Sequence, residues 1–228
     1  STPSLFQFGQ VIMLDWDIIK MAIPLLAEGL TVNLYVSFCA GIIGTFAGII
    51  LGLLSLSNIK PLELFIRVYV DFVRGTPLLI QIFLVFFALP VIGIKFNEIW
   101  AGVAALAFNL AGYTAEIVRG SVGAVEKGQA EAAKGIGMTR EKILVYILLP
   151  QAARQMVPPF TNELITMIKS SSLLSVISVY ELTRSGQAII SVHFVPFEIY
   201  GLLALYYWGL ITTISWATRQ LERRLPAW

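Results

Sequence analysis

Charge is what this sequence has least of. Only 13% of the 228 residues are charged, whereas a soluble domain carries about a quarter. Apolar residues make up 57% of the chain and its mean hydropathy is +0.79, a composition that fits a bilayer interior better than water. The formal charge of +2 is too small and too scattered for a face that tracks nucleic-acid phosphates, so no nucleic-acid partner is expected. Cysteine is nearly absent: Cys39 stands alone inside an apolar run, which excludes an intrachain disulfide framework and a cysteine metal cluster. The single histidine, His193, has no neighbours suited to a metal site, and no metal is expected. Also missing are G-x4-G-K-[S/T], H-E-x-x-H and G-x-S-x-G, so the chain has no phosphate-cradling loop and no evident hydrolytic centre. Residues 1–20 lack the basic-then-apolar order of a signal peptide and are expected to form a short outer surface segment.

What is present is a series of long uncharged stretches. A bilayer crossing needs about 20 mostly apolar helical residues, and the intervals 29–59, 75–94, 99–115 and 199–218 meet that need. A fifth interval, 143–180, is apolar but interrupted by Arg154, Glu163 and Lys169, polar groups expected to face protein rather than lipid. The expected fold is all-α integral membrane, with five transmembrane helices in a single transmembrane domain over 1–228; no internal repeat or linker divides it. Basic residues gather on one side: Lys60 and Arg67; Arg119, Lys127, Lys134, Arg140 and Lys142; Arg219, Arg223 and Arg224. The other side has only Lys20, Lys95 and Arg184. That asymmetry predicts a cytoplasmic C-terminus and an outer N-terminus. In the first crossing, Gly44, Gly48 and Gly52, with Gly41 nearby, flatten one helix face for close packing inside the subunit.

Residues 120–142 are the sizeable polar segment and are expected to form one or two short cytoplasmic helices, stopped at Gly135 and Gly137. Within and after it runs Glu131-Ala132-Ala133-x3-Gly137-x9-Ile147-x-Leu149-Pro150. This pattern resembles the EAA loop of permease subunits of binding-protein-dependent ABC importers. Arg74-Gly75-Thr76-Pro77-Leu78-Leu79-Ile80-Gln81, Tyr113 to Gly120, Asn162-Glu163 and Lys169-x-Ser171-Ser172-Leu173 are similar to the polar amino-acid branch of that family, which serves histidine, arginine, lysine, glutamine and glutamate. The resemblance covers about 31–225. It implies a type I importer permease fold in a bacterial cytoplasmic (inner) membrane, and a second permease subunit making a homo- or heterodimer. It also implies an ATP-binding cassette subunit docked on the EAA segment, which would hold ATP and magnesium, and an extracytoplasmic amino-acid-binding protein. This chain itself would be no enzyme and hold no cofactor. Glu131, Ala132, Ala133, Gly137, Ile147, Leu149 and Pro150 become the residues expected to couple it to the ATPase.

Substrate contacts are sought among polar residues inside the membrane. Glu163 falls near mid-depth of the fourth crossing, and Asn162, Thr166, Lys169 and Ser170 share its broad face. Two readings of Glu163 stay open: an ion pair with Arg154, Lys169 or an arginine of the second crossing, or a carboxylate that meets the cation of a passing amino acid. On the third crossing, Asn109 and Tyr113 lie deep enough to reach substrate, while Glu116 and Arg119 are expected to pair with each other. In the second, Asp71 lies between Arg67 and Arg74, ahead of a helix break expected at Thr76-Pro77. There Arg67 reads as an interfacial anchor, and Arg74 and Thr76 as gate or carboxylate contacts. Tyr206, Tyr207, Trp208 and Trp216 read as packing or belt residues, His193 as part of an outer loop, and Pro158-Pro159 as a kink. The resemblance implies uptake of a polar amino acid, and the mid-depth Glu163 leans toward a basic one of the arginine, histidine or lysine class. The same carboxylate can serve the ammonium of any amino acid. A small ion-coupled carrier using Glu163 as a proton site is the alternative; it leaves the EAA spacing unexplained.

Overall fold

A computed structural model describes residues 15–57 and 59–224, and the side chains up to residue 220. The expected outer segment over 1–20 lies mostly outside the described residues, as do the side chains of Arg223 and Arg224. Its last part is already helix: α1 (Trp16–Ser55) starts at Asp15, whose carboxylate accepts hydrogen bonds from the backbone N–H groups of Asp17 and Ile18. Then come α2 (Lys60–Gly75), α3 (Leu78–Phe83), α4 (Glu98–Gly123), α5 (Lys127–Gly135), α6 (Arg140–Ile143), α7 (Leu149–Ser170), α8 (Leu182–His193) and α9 (Pro196–Arg224). Single π turns, Leu84–Ala88 and Leu144–Leu148, extend α3 and join α6 to α7. Two 3-10 segments, Leu89–Ile92 and Ser171–Ile177, follow.

Three helices, α1, α4 and α9, are long and apolar enough to cross a membrane unaided, and five crossings result if two bent pairs each count as one. The break expected at Thr76-Pro77 is present, and the fourth expected crossing is corrected in shape. The second crossing is broken by 111° between α2 and the segment from Leu78 to Ile92, so α2 does not continue the direction of α3. The fourth runs from Arg140 to Ile177, passes through Pro158 and Pro159 as continuous helix, and bends by 46° into α8. The outer loop expected around residue 190 is also corrected. It is α8, which buries Leu182, Ser185, Gly186 and Ile189 on one face; His193 ends that helix, and Phe194 follows with φ +57°.

The core forms around α4, which buries small and branched residues along most of its length. α1 lies directly on it. A Cβ at Gly44 would come 2.8 Å from the Ala107 carbonyl oxygen, one at Gly48 2.7 Å from that of Ala111, and one at Gly52 2.5 Å from Val118 Cβ. The glycine ladder expected to pack inside the subunit does so, with backbone against backbone. Val36, Ala40, Ile82, Leu106, Leu110 and Leu174 form the main cluster. A second cluster of Ala22, Leu26, Leu182, Ile189, Ile199 and Leu203 joins α1, α8 and α9.

Candidate functional site

The polar residues of α7 lie on the side that leaves the subunit. Leu164 and Met167 point inward, against Gly41 of α1. Asn162, Thr166 and Lys169 are exposed, and Glu163 and Ser170 half-buried. The Thr166 hydroxyl donates to the Asn162 carbonyl at 2.9 Å, as threonine does on a regular helix. Among the described residues Glu163 has neither an ion-pair partner nor a hydrogen bond. Neither Lys169 nor an arginine of α2 neutralises it within this chain.

The remaining expected contacts separate into different roles. Glu116 binds Arg119 through two bonds of 2.6 and 3.0 Å, as their spacing predicts, and also meets Arg74 at 3.3 Å. Arg67 pairs with Glu63 at 2.7 Å instead of with Asp71; the expected triad around Asp71 is thus two separate pairs lining one cleft of about 300 Å³. Asn109 donates from Nδ2 to Gln81 Oε1 at 3.0 Å, and Gln81 Nε2 donates to Thr76 Oγ1 at 3.0 Å. The polar groups of Asn109 and Thr76 are therefore engaged inside the protein. Tyr113 is half-buried on α4.

In the polar connection over 120–142, expected to hold one or two short helices, α5 and α6 are both present. Gly137 adopts φ +83°, a left-handed conformation that costs glycine nothing. The Gly137 and Met138 N–H groups cap the end of α5 by donating to Lys134 and Ala133 carbonyls at 3.0 and 3.1 Å. Ala133 is buried, while Glu131, Ala132 and Ile136 face outward, Ile136 at 81% exposure. Ile147 lies in the π turn, and Leu149 and Pro150 open α7.

One polar network was not foreseen. Glu181, fully buried at the start of α8, accepts from the N–H groups of Thr183 and Arg184 at 2.9 and 2.8 Å, and from the Tyr207 hydroxyl at 3.1 Å. Tyr207 also meets Asn33 of α1 at 3.3 Å, and Asn33 Nδ2 donates to Ser171 Oγ at 2.8 Å. This network fastens the start of α8 to the middle of α1 and to α9. Its one signal in the sequence was Asn33, a lone amide inside an otherwise apolar crossing.

Residues 43–226 match the family described as binding-protein-dependent transport system inner membrane component, and the chain belongs to it. It is 36% identical over 222 residues to the glutamine transport system permease protein GlnP of Escherichia coli K12, covering 92% of this chain and 97% of that one. To the arginine transport system permease protein ArtQ of Bacillus subtilis it is 34% identical over 215 residues, covering 94% and 98%. The crystal structure of an amino acid ABC transporter with histidines superposes with a TM-score of 0.86 at 38% identity, over 92% of this chain and 98% of that one. An inward-facing MetNI methionine ABC transporter shares the fold at a TM-score of 0.74 and 21% identity, over 90% and 98%. The chain is thus the permease subunit of an amino-acid ABC importer, a multi-pass inner-membrane protein with a type I permease fold; it is not an enzyme, and the ATPase is a separate subunit. That family membership displaces the ion-coupled carrier.

Proposed function

We propose that this chain forms one half of a translocation path for a basic amino acid, of the arginine, histidine or lysine class, and that the polar face of α7 meets the substrate. The observation that carries this reading is Glu163, a carboxylate expected at mid-crossing that has no cation partner among the described residues. An unneutralised charge there costs at least ~2.5 kcal/mol on insertion scales, so it persists against a cavity, a substrate or another subunit. The face points away from the subunit's own core, which suits a path lined by two permeases. Lys169, six residues along, is available to a substrate carboxylate, with Thr166 between and Asn162 and Ser170 on either side as hydrogen-bonding groups; Tyr113 and Arg74 border the path from α4 and α2.

The ATP-binding cassette subunit, with its ATP and magnesium, docks on the outward residues of α5, and the α7 entry residues Ile147, Leu149 and Pro150 carry its movement into the membrane. With a cytoplasmic C-terminus and an outer N-terminus, substrate arrives from an extracytoplasmic binding protein. Closure of the ATPase pair draws the coupling helices together and opens the outer side; hydrolysis reverses this. Relatives named for glutamine and arginine share an ammonium group that Glu163 can serve, and the lack of an internal cation favours the basic class. A competition assay on the reconstituted complex tests this: arginine, lysine and histidine are expected to block uptake, and stronger block by glutamine overturns the basic class. Glu163→Gln keeps the shape and removes the charge. Loss of a charge-assisted hydrogen bond, about 1.5–3 kcal/mol, predicts a roughly ten- to hundredfold weaker apparent affinity at the permease, with assembly intact. Unchanged affinity with lower thermal stability would instead mark Glu163 as half of an ion pair between subunits.

A further inference from the structure

At the break between α2 and α3 the chain turns by 111°, and Pro77 supplies no N–H to continue the helical ladder. Such a turn leaves carbonyls without partners inside the membrane. Gln81, 1% exposed, supplies the missing donors: its Nε2 reaches back to the Val73 carbonyl at 2.9 Å and to Thr76 O and Oγ1 at 3.2 and 3.0 Å. The other end of the same amide accepts from Asn109 of α4 at 3.0 Å. One buried side chain thus joins the end of α2, the start of α3 and the middle of α4. Two further contacts fix α2 on α4: the Tyr69 hydroxyl donates to the Phe108 carbonyl at 2.6 Å, and Val73 lies so close to Gly112 that a Cβ there would come within 2.8 Å.

We infer that Gln81 is a positioning residue that locks this break, so that α2, α3 and α4 move as one body during transport and the break is no hinge. The consequence for the cycle follows from where α2 lies. Its Glu63 lines one cleft with Ala130, Glu131 and Lys134 of α5, so the start of α2 borders the segment that holds α5. A hinge at Thr76-Pro77 would absorb a push from α5; a locked break passes it on to α3 and α4. This second step rests on the coupling role proposed above for α5, whereas the lock itself does not.

Hydrogen–deuterium exchange on the intact complex in nanodiscs, with and without ATP–Mg and orthovanadate, separates the two. In the wild type, the peptide over 76–84 is expected to exchange at rates within twofold in both states, while the α5 peptide changes. Gln81→Leu removes the donors, and Gln81→Glu keeps the acceptor facing Asn109 but offers the carbonyls at most one proton, when protonated, in place of two. Both are expected to raise exchange over 76–84 at least tenfold, to make it nucleotide-dependent, and to reduce amino acid moved per ATP hydrolysed. A purely structural role would lower yield yet leave that ratio unchanged in the surviving complex. Should the Gln81 variants not assemble, Asn109→Ala decides: it leaves the carbonyl bonds and frees α3 from α4, with at least threefold faster exchange expected. Wild-type exchange in these variants, or a wild-type break whose exchange shifts tenfold with nucleotide, overturns the lock. If only the coupling reading fails, α5 shows no nucleotide response while the variants still loosen the break.

Discussion

Glu181 shows how differently single residues read in one dimension and in three. The Glu116–Arg119 pair lies within one helical turn, so its bond followed from spacing alone. The partners of Glu181 include a hydroxyl 26 residues on, and the same network closes through an Asn33–Ser171 bond spanning 138 residues; no local pattern reports such distances. Glu163 lay between these cases, since its place on the polar face of α7 was legible and its lack of a cation partner among the described residues was not. Two of the three donors to Glu181 are backbone N–H groups at the start of α8, so its carboxylate acts as a helix cap buried inside the protein. Glu181→Ala strands those N–H groups, while the Tyr207 hydroxyl keeps Thr183 Oγ1 at 2.9 Å, and a loss of about 1–3 kcal/mol is expected. Tyr207→Phe leaves the cap but removes the hydroxyl that meets Glu181, Asn33 and Thr183, with a loss of about 0.6 kcal/mol per contact, the average for polar contacts between membrane helices. Thermal unfolding of the detergent-solubilised complex measures both, and equal losses would show that the cap matters no more than the side-chain bonds.

At the scale of elements, the cytoplasmic connection was legible because its signals are local: good helix formers, then glycines that end them. Gly137 is the position where that reading can be tested alone. Its φ of +83° costs a residue with a Cβ about 1–2 kcal/mol, and a β-branched one more. Gly137→Val is expected to reorient α5 against α6 and uncouple ATP hydrolysis from uptake, while the chain still inserts in the membrane. Normal substrate-stimulated ATPase and uptake in that variant would remove α5 from the coupling path. The helix break was equally legible from Pro77, but its angle was not, because the angle depends on a glutamine whose partners lie on α2 and α4. α8 was missed for another reason. Glu181, Arg184 and His193 made 181–193 look like loop, although Leu182, Ser185, Gly186 and Ile189 recur at helical spacing on its buried face.

For the whole molecule, the apolar intervals located the three long helices and both bent pairs that bring the possible crossings to five, because crossing length is set by the bilayer rather than by tertiary packing. They could not show that two of the five are bent, since hydropathy carries no direction. Orientation rests on the distribution of basic residues, and a reporter active only in the cytoplasm tests it directly. Inserted within 125–135 it should be active, and placed near residue 95 or at 194–195 it should stay silent; the reverse pattern inverts the molecule. The π turn at Leu144–Leu148 matters at this same scale. It holds one residue more than an α-helical path between the same ends, and each α-helical residue turns the chain by about 100°. Deletion of a single codon there would close a regular helix and rotate α5 and α6 about the axis of α7, with every contact residue still present. The alignment of the two ends of the protein is written in a count of residues and not in their identities, so a substitution scan passes over it and a one-residue deletion finds it.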